Sequence, residues 1–377
     1  MRIRAAVLHE PGQPVIVEDV ELDPPRENEV LVRVAAAGVC HSDVRLVDGE
    51  LGDGRWPMVL GHEGAGVVEE VGVGVTHVRA GDHVGFCIVP SCRACEECRA
   101  GRLNLCLRAG ENGPRGTLMD GTSRLRLPDG TPLQHGLMTA CFAERVVVAA
   151  ASAIPLPSAL PLWQASLLGC GVVTGFGAVR NAARVRAGES AAVIGCGGVG
   201  LQVIAALRLA GAAPIVAVDL DPEKLELALQ RGATDAVEAG ATTTAPDVVR
   251  LAGRGVDHAF EVVGRPETMR LAWDVLRPGG TAVVVGLAPK GAEVSLPAIE
   301  FLSDKGIRGS YYGNGDPMVD LPELAELALA GELQLAQVVT HIEPLDAVNE
   351  ALDRLRIGDG VRTVLVLDAE LASTESR

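Results

Sequence analysis

Apolar and polar positions alternate through the first third of the chain. AAVLHEPGQPVIVEDVEL turns at Pro11-Gly12, EVLVRVAAAGVC runs into a glycine, and AGVVEEVGVGVTHVRAGDHVGF is broken repeatedly by Gly. A period of two with glycine punctuation predicts short strands, and together they predict a partly open β-barrel. From about Val172 the pattern changes. SAAVIGCGG reads as strand and turn, VGLQVIAALRLAG as a helix, IVAVDL as a strand and DPEKLELALQRGA as a helix closed by Gly232. VDHAFEVVG is a further strand, ETMRLAWDVLRPGG a helix ended by Pro-Gly-Gly, and TAVVVGL another strand. Apolar strands alternating with amphipathic helices predict a doubly wound parallel sheet. Two short helices follow, LPELAELALAGEL and LDAVNEALDRLRIGDG, then a strand, RTVLVLD. The fold class expected is α/β, with a barrel domain over 1–171, a cofactor domain over 172–315 and a return to the first domain over 316–377. The closing STESR is expected to fray.

Composition narrows the function. The chain has 377 residues, 48% of them hydrophobic, enough for about two domains. A net charge of −16 argues against nucleic acid and anionic membrane as partners, because both need a basic face. Prolines 155, 157 and 161 interrupt the uncharged stretch 146–179, so no membrane span is expected there. The start, MRIRAAVLHEPGQP, lacks the apolar core of a secretory signal, so a cytoplasmic location is expected. In that setting nine cysteines point to metal rather than to a disulfide framework.

Three sets of residues carry chemistry. Gly195-Cys196-Gly197-Gly198-Val199-Gly200 follows an apolar strand and opens a helix, and Asp219 ends the next strand. Gly195 permits a tight turn, Gly197 lets a pyrophosphate approach the backbone, and Gly200 allows close helix–strand packing. Asp219 would accept from the adenosine ribose and repel a 2′-phosphate, which favours NAD over NADP. The bland alternative is a glycine-rich turn with a capping Asp. Cys92, Cys95, Cys98 and Cys106 crowd one loop, where four thiolates can close a structural zinc site. An iron–sulfur cluster or plain surface thiols are the alternatives. The third set is dispersed: Cys40 in CHSD, His62 in GHEG and Cys170 in GCG. Each alone could be core filler. Together they form a Cys2His set that leaves a fourth zinc position open.

GVCHSD, GHEGAGVVEEVG, GDHV, the four-Cys loop, DGTSRL, GCGVVTG, GCGGVG, AVDLD and VRTVL occur in an order and spacing that resemble the zinc-dependent medium-chain alcohol dehydrogenases over essentially the whole chain. DGTSRL and the long 106–142 stretch resemble the classical and glutathione-formaldehyde dehydrogenase branches, and actinobacterial relatives. The resemblance implies a GroES-like catalytic domain and a Rossmann cofactor domain. It also implies a catalytic and a structural zinc, and hydride exchange between NAD and an alcohol or aldehyde. Cys40, His62 and Cys170 would hold the catalytic zinc, with Glu63 behind it as a transient ligand. Asp43 would orient His62, and Ser42 would meet the substrate hydroxyl. His41 and Arg362 would pair with the pyrophosphate, alongside Gly198 and Val199, and Lys224 would reach the ribose beside Asp219. Trp56, Ile88 and Phe142 are the candidate pocket residues. A homodimer is expected, paired near residues 307–312, with a tetramer as the alternative.

Two departures stand out. Arg45 occupies a position where relatives carry His or Tyr, and Arg cannot act as a proton acceptor. The proton would then leave through Ser42, the ribose and water. Leu51 replaces one acidic residue of the glutathione branch, although Asp53 remains, and Arg108 lies close to that branch's Arg without aligning. These favour a primary or aromatic alcohol over a thiol adduct with glutathione or mycothiol. A nicotinoprotein that retains its NAD and a non-catalytic NAD-binding protein are the other readings.

Overall fold

The structure is a computed structural model, and it describes residues 1–51, 56–240 and 244–372. Asp53 and the closing STESR lie outside the described residues. The chain divides into two compact units, 1–173 with 315–377, and 174–314.

The first unit contains a closed five-stranded barrel built from Arg2–Leu8, Ile16–Leu22, Leu125–Arg126, Pro132–His135 and Met58–Val59. Beside it lies a seven-stranded sheet centred on Glu29–Gly38, which pairs with Glu63–Val71, Arg145–Ala149 and Arg362–Val366. The last of these brings the end of the chain beside Gly38. Alternating apolar side chains such as Val30, Val32, Val34, Val146 and Val148 fill the core. The long 106–142 stretch is tied down by Arg124. Its guanidinium is buried and bonds Glu29 and Asp120, and the Arg124 amide donates to Nε2 of His135 at 3.3 Å. Burial, aided by the Arg124 charge, holds His135 down to about 3, so its ring stays neutral and able to accept.

The second unit is a six-stranded parallel sheet. Its strands are β1 (Ala191–Ile194), β2 (Ile215–Asp219), β3 (Asp235–Glu238), β4 (Val256–Glu261), β5 (Leu276–Val284) and β6 (Gly306–Gly309). Their spatial order is β3-β2-β1-β4-β5-β6. The order reverses between β1 and β4, the crevice where such sheets take dinucleotides. One expectation shifts here. Pro278-Gly279-Gly280 does not stop a helix but lies within β5, after a helix over Pro266–Asp274. A register jump from Val256↔Leu276 to His258↔Thr281 absorbs the extra residues. In the first unit, the helix expected from Leu321 begins at Pro317, where Asp316 caps it by accepting from the Met318 amide at 3.1 Å.

Candidate functional site

Cys40 ends the turn after Glu29–Gly38 and opens α1 (His41–Val47). His62 immediately precedes Glu63–Val71, and Cys170 precedes a helix over Gly171–Gly177. Three remote segments therefore converge, and their ligand atoms lie within 4.8 Å of one another, all buried. A hydrogen bond from Cys170 holds the Cys40 thiol well below its ordinary value, while that shared bond and burial hold Cys170 well above its own. Nδ1 of His62 is 3.0 Å from Asp43 Oδ1, and both residues are fully buried. Asp43 also accepts from the Cys40 amide at 3.1 Å and the Gly61 amide at 3.3 Å, so one carboxylate ties two of the three segments together. His62 Nε2 is buried and has no hydrogen-bond partner. An unused lone pair in the core is costly, and a cation at the centre of the trio would use it. The residues fit a catalytic zinc.

Behind the trio lies Glu63, fully buried. Its Oε1 accepts from the Gly171 amide at 2.8 Å, and its Oε2 lies 3.1 Å from Arg362 Nη1. Burial pushes its carboxyl up to about 7 against the pull of Arg362. A Cβ on Gly171 would come within 2.0 Å of that guanidinium, so the pair needs glycine there. Arg362, expected on the pyrophosphate, is thus placed buried against Glu63 and the Val39 carbonyl. Ser42 Oγ stands 3.8 Å from Cys40 Sγ, and His41 is exposed on α1. Phe142 is fully buried, packed where a Cβ on Gly61 would fall, whereas Trp56 and Ile88 are partly exposed.

The four loop cysteines also converge, with sulfurs within 4.8 Å. Backbone N–H groups from Cys98 and Leu107 pull Cys95 down to about 6, while burial and Cys95 push Cys98 up to about 12. Four sulfurs with no open side fit a structural zinc.

In the second unit Gly195 adopts φ 97°, and a Cβ on Gly200 would meet the Gly195 carbonyl at 1.9 Å. At Gly197 nothing lies within 4 Å of the Cβ position, an open approach to the backbone. No side chain caps α2 (Gly200–Ala210), which follows Gly198 and Val199. Its N-terminal dipole is thus left for an anion. Asp219 stands at the end of β2, accepting from the Cys196 amide at 2.6 Å and the Asp221 amide at 3.0 Å. Lys224 pairs with Asp221 at 3.4 Å. The cradle fits a dinucleotide.

Residues 26–158 match the alcohol dehydrogenase GroES-like domain family, and residues 198–330 match the zinc-binding dehydrogenase family. The S-(hydroxymethyl)glutathione dehydrogenase of Photobacterium damsela subsp. piscicida is 40% identical over 97% of this chain and 100% of its own length.

The chain belongs to the zinc-dependent medium-chain dehydrogenase/reductase family.

Solved structures agree. An alcohol dehydrogenase zinc-binding domain protein from Burkholderia ambifaria superposes with a TM-score of 0.93 at 36% identity, covering 97% of this chain and 99% of that one. The benzyl alcohol dehydrogenase of Acinetobacter calcoaceticus gives 0.92 at 30%, with the same coverage. As a medium-chain dehydrogenase, the protein is an NAD-linked oxidoreductase with catalytic and structural zinc. Among the described residues no single helix is long and apolar enough to cross a membrane. Sequence reasoning missed Glu29 as the buried partner of Arg124 and Glu261 at the end of β4. A lone Glu in a strand carries no local signal.

Proposed function

We propose that this dehydrogenase oxidises the hydroxymethyl adduct of a low-molecular-weight thiol, of the S-(hydroxymethyl)glutathione type, with NAD. The observation that carries this reading is the 40% identity, over essentially full length, to relatives named for that substrate. It moves the preference from the simple alcohol suggested by Leu51 to the thiol adduct held as its alternative. Leu51 packs on the barrel core, so its side chain has a structural reason to be apolar. Arg108 is exposed just beyond Cys106 and is free to meet a substrate carboxylate.

Cys40, His62 and Cys170 hold the catalytic metal, and Asp43 fixes the His62 ring. Zinc held there would supply Lewis acidity to the substrate oxygen, and NAD in its cradle would supply the hydride-accepting chemistry. Ser42, beside Cys40, takes the substrate hydroxyl and starts the proton on its way out. Arg45 cannot receive that proton, so the exit runs past it to water. Asp219 selects NAD by excluding a 2′-phosphate.

The test is formaldehyde oxidation with and without glutathione or mycothiol. Turnover that requires added thiol supports the reading. Benzyl alcohol turnover that is thiol-independent and at least as efficient overturns it in favour of the aromatic-alcohol reading, which the likeness to benzyl alcohol dehydrogenase keeps in view. NAD surviving gel filtration marks a nicotinoprotein instead.

None of the nine cysteines is in a disulfide, which suits a reducing cytoplasm. β6 is the terminal strand of its sheet, and Ile299 and Leu302 are 73% and 83% exposed nearby in sequence. An open edge beside apolar side chains suits pairing with a second copy in a homodimer. Light scattering on the purified chain separates dimer, tetramer and monomer.

A further inference from the structure

The carboxylate of Glu261 is fully buried at the carboxyl end of β4, in register with Ile194 at the end of β1. Its Oε1 accepts three hydrogen bonds: from the Val263 amide at 2.9 Å, the Gly264 amide at 2.7 Å and the Thr268 hydroxyl at 2.7 Å. Its Oε2 is buried with no partner. The backbone joins in, since the Val285 and Gly286 amides donate to the Glu261 carbonyl at 2.8 and 3.0 Å. A Cβ on Gly286 would fall 2.1 Å from the Gly264 amide and 2.8 Å from Oε2. The Glu261 side chain therefore holds the turn that follows β4, while its backbone carbonyl holds the end of β5.

A buried carboxylate is costly, and an unpartnered oxygen adds to the cost. Charge-assisted bonds from the turn offset it, and what they define is the conformation of 262–264. Each peptide is trans, so an N–H aimed at Glu261 turns the preceding carbonyl the opposite way. The carbonyls of Val262 and Val263 consequently face away from the buried carboxylate. The turn also abuts the cofactor motif: a Cβ on Gly195 would meet Val263 Cγ2 at 2.7 Å. The dinucleotide crosses the sheet where the strand order reverses, and Asp219 on the β2 side marks the adenosine half. The β4–β5 side is left for the second mononucleotide.

We propose that Glu261 is a positioning residue for the nicotinamide half of the cofactor, acting through the 262–264 turn. The proposal rests on the dinucleotide reading of this unit and is independent of the substrate.

The test uses the zinc-loaded protein and reads binding, not turnover. NADH is titrated by fluorescence and AMP by calorimetry in wild type and Glu261→Gln, with the melting temperature recorded without cofactor. Wild-type NADH binding is the control for the dinucleotide reading itself. In the variant the NADH Kd is expected to rise about tenfold, equivalent to about 1.4 kcal/mol, while AMP affinity stays within about twofold. An NADH Kd unchanged within about twofold overturns the proposal, and so does equal weakening of AMP and NADH, which marks general loosening. If Glu261→Gln does not fold, Thr268→Val removes a single donor to Oε1. It should weaken NADH about threefold and spare AMP. No change in NADH affinity there also overturns the proposal.

Discussion

Asp43 and His62 form a buried pair, Oδ1 to Nδ1 at 3.0 Å, in which neither side chain has any solvent exposure. The carboxylate can only accept, so Nδ1 donates and the ring presents Nε2 toward the two thiols. Asp43→Asn keeps the shape and loses the charge. Its zinc affinity at the catalytic site should fall about 10–100-fold while the four-cysteine site stays loaded. Metal analysis after graded chelation checks this, and two zincs retained equally in both proteins would refute it.

Asp219 holds the glycine-rich turn through the Cys196 amide, and the proposed reading gives it a second role, repelling a 2′-phosphate. Asp219→Ser removes the repulsion but keeps a short polar side chain. The ratio of kcat/KM for NAD to that for NADP should fall by about tenfold or more, the equivalent of at least about 1.4 kcal/mol. Steady-state kinetics with both cofactors decides, and an unchanged ratio places the selectivity elsewhere.

Arg45 is paired with Glu50 at 2.8 Å and is about four-fifths buried, its side chain 18% exposed. An always-charged guanidinium cannot take the departing proton. Arg45→His should add an inflection near pH 6.5, the usual histidine range, to the profile of kcat/KM for oxidation. If the two profiles coincide, Arg45 has no part in proton exit.

Asp257 offers a pH test inside the cofactor unit. Burial alone would raise its carboxyl, but the Ser190 amide and hydroxyl, at 2.8 and 2.6 Å, and Arg277 together hold it down to about 2. A depressed carboxyl stabilises the fold above its unfolded pKa of about 4, and that contribution is lost as pH falls toward 2. Asp257→Asn should therefore cost about 1–2 kcal/mol at pH 7. The gap between variant and wild type should close as pH falls from about 4 to about 2. Melting temperatures across that range check it, and a gap that widens in acid contradicts the assignment.

Much of this protein is legible along the chain because its signals are local. The βα alternation, the GCGGVG turn with Asp219 after it, and the four loop cysteines lie within short windows. Backbone geometry and ligand spacing there follow from sequence distance alone. The catalytic set is different. Cys40, His62 and Cys170 lie on three separate segments, and only strand pairing in the barrel unit brings them within 4.8 Å. Long-range burial also decided what no spacing could. It turned Arg362 onto Glu63, placed Phe142 in the core, drew Glu29 to Arg124 and put Glu261 under the turn beside Gly195. The sequence by itself determined the element types, the cofactor turn and the structural metal loop, since period, glycine and cysteine spacing act at short range. The tertiary structure decided which charges are buried together. Desolvation makes a buried charge acceptable only beside a partner, and that partner can come from anywhere in the chain.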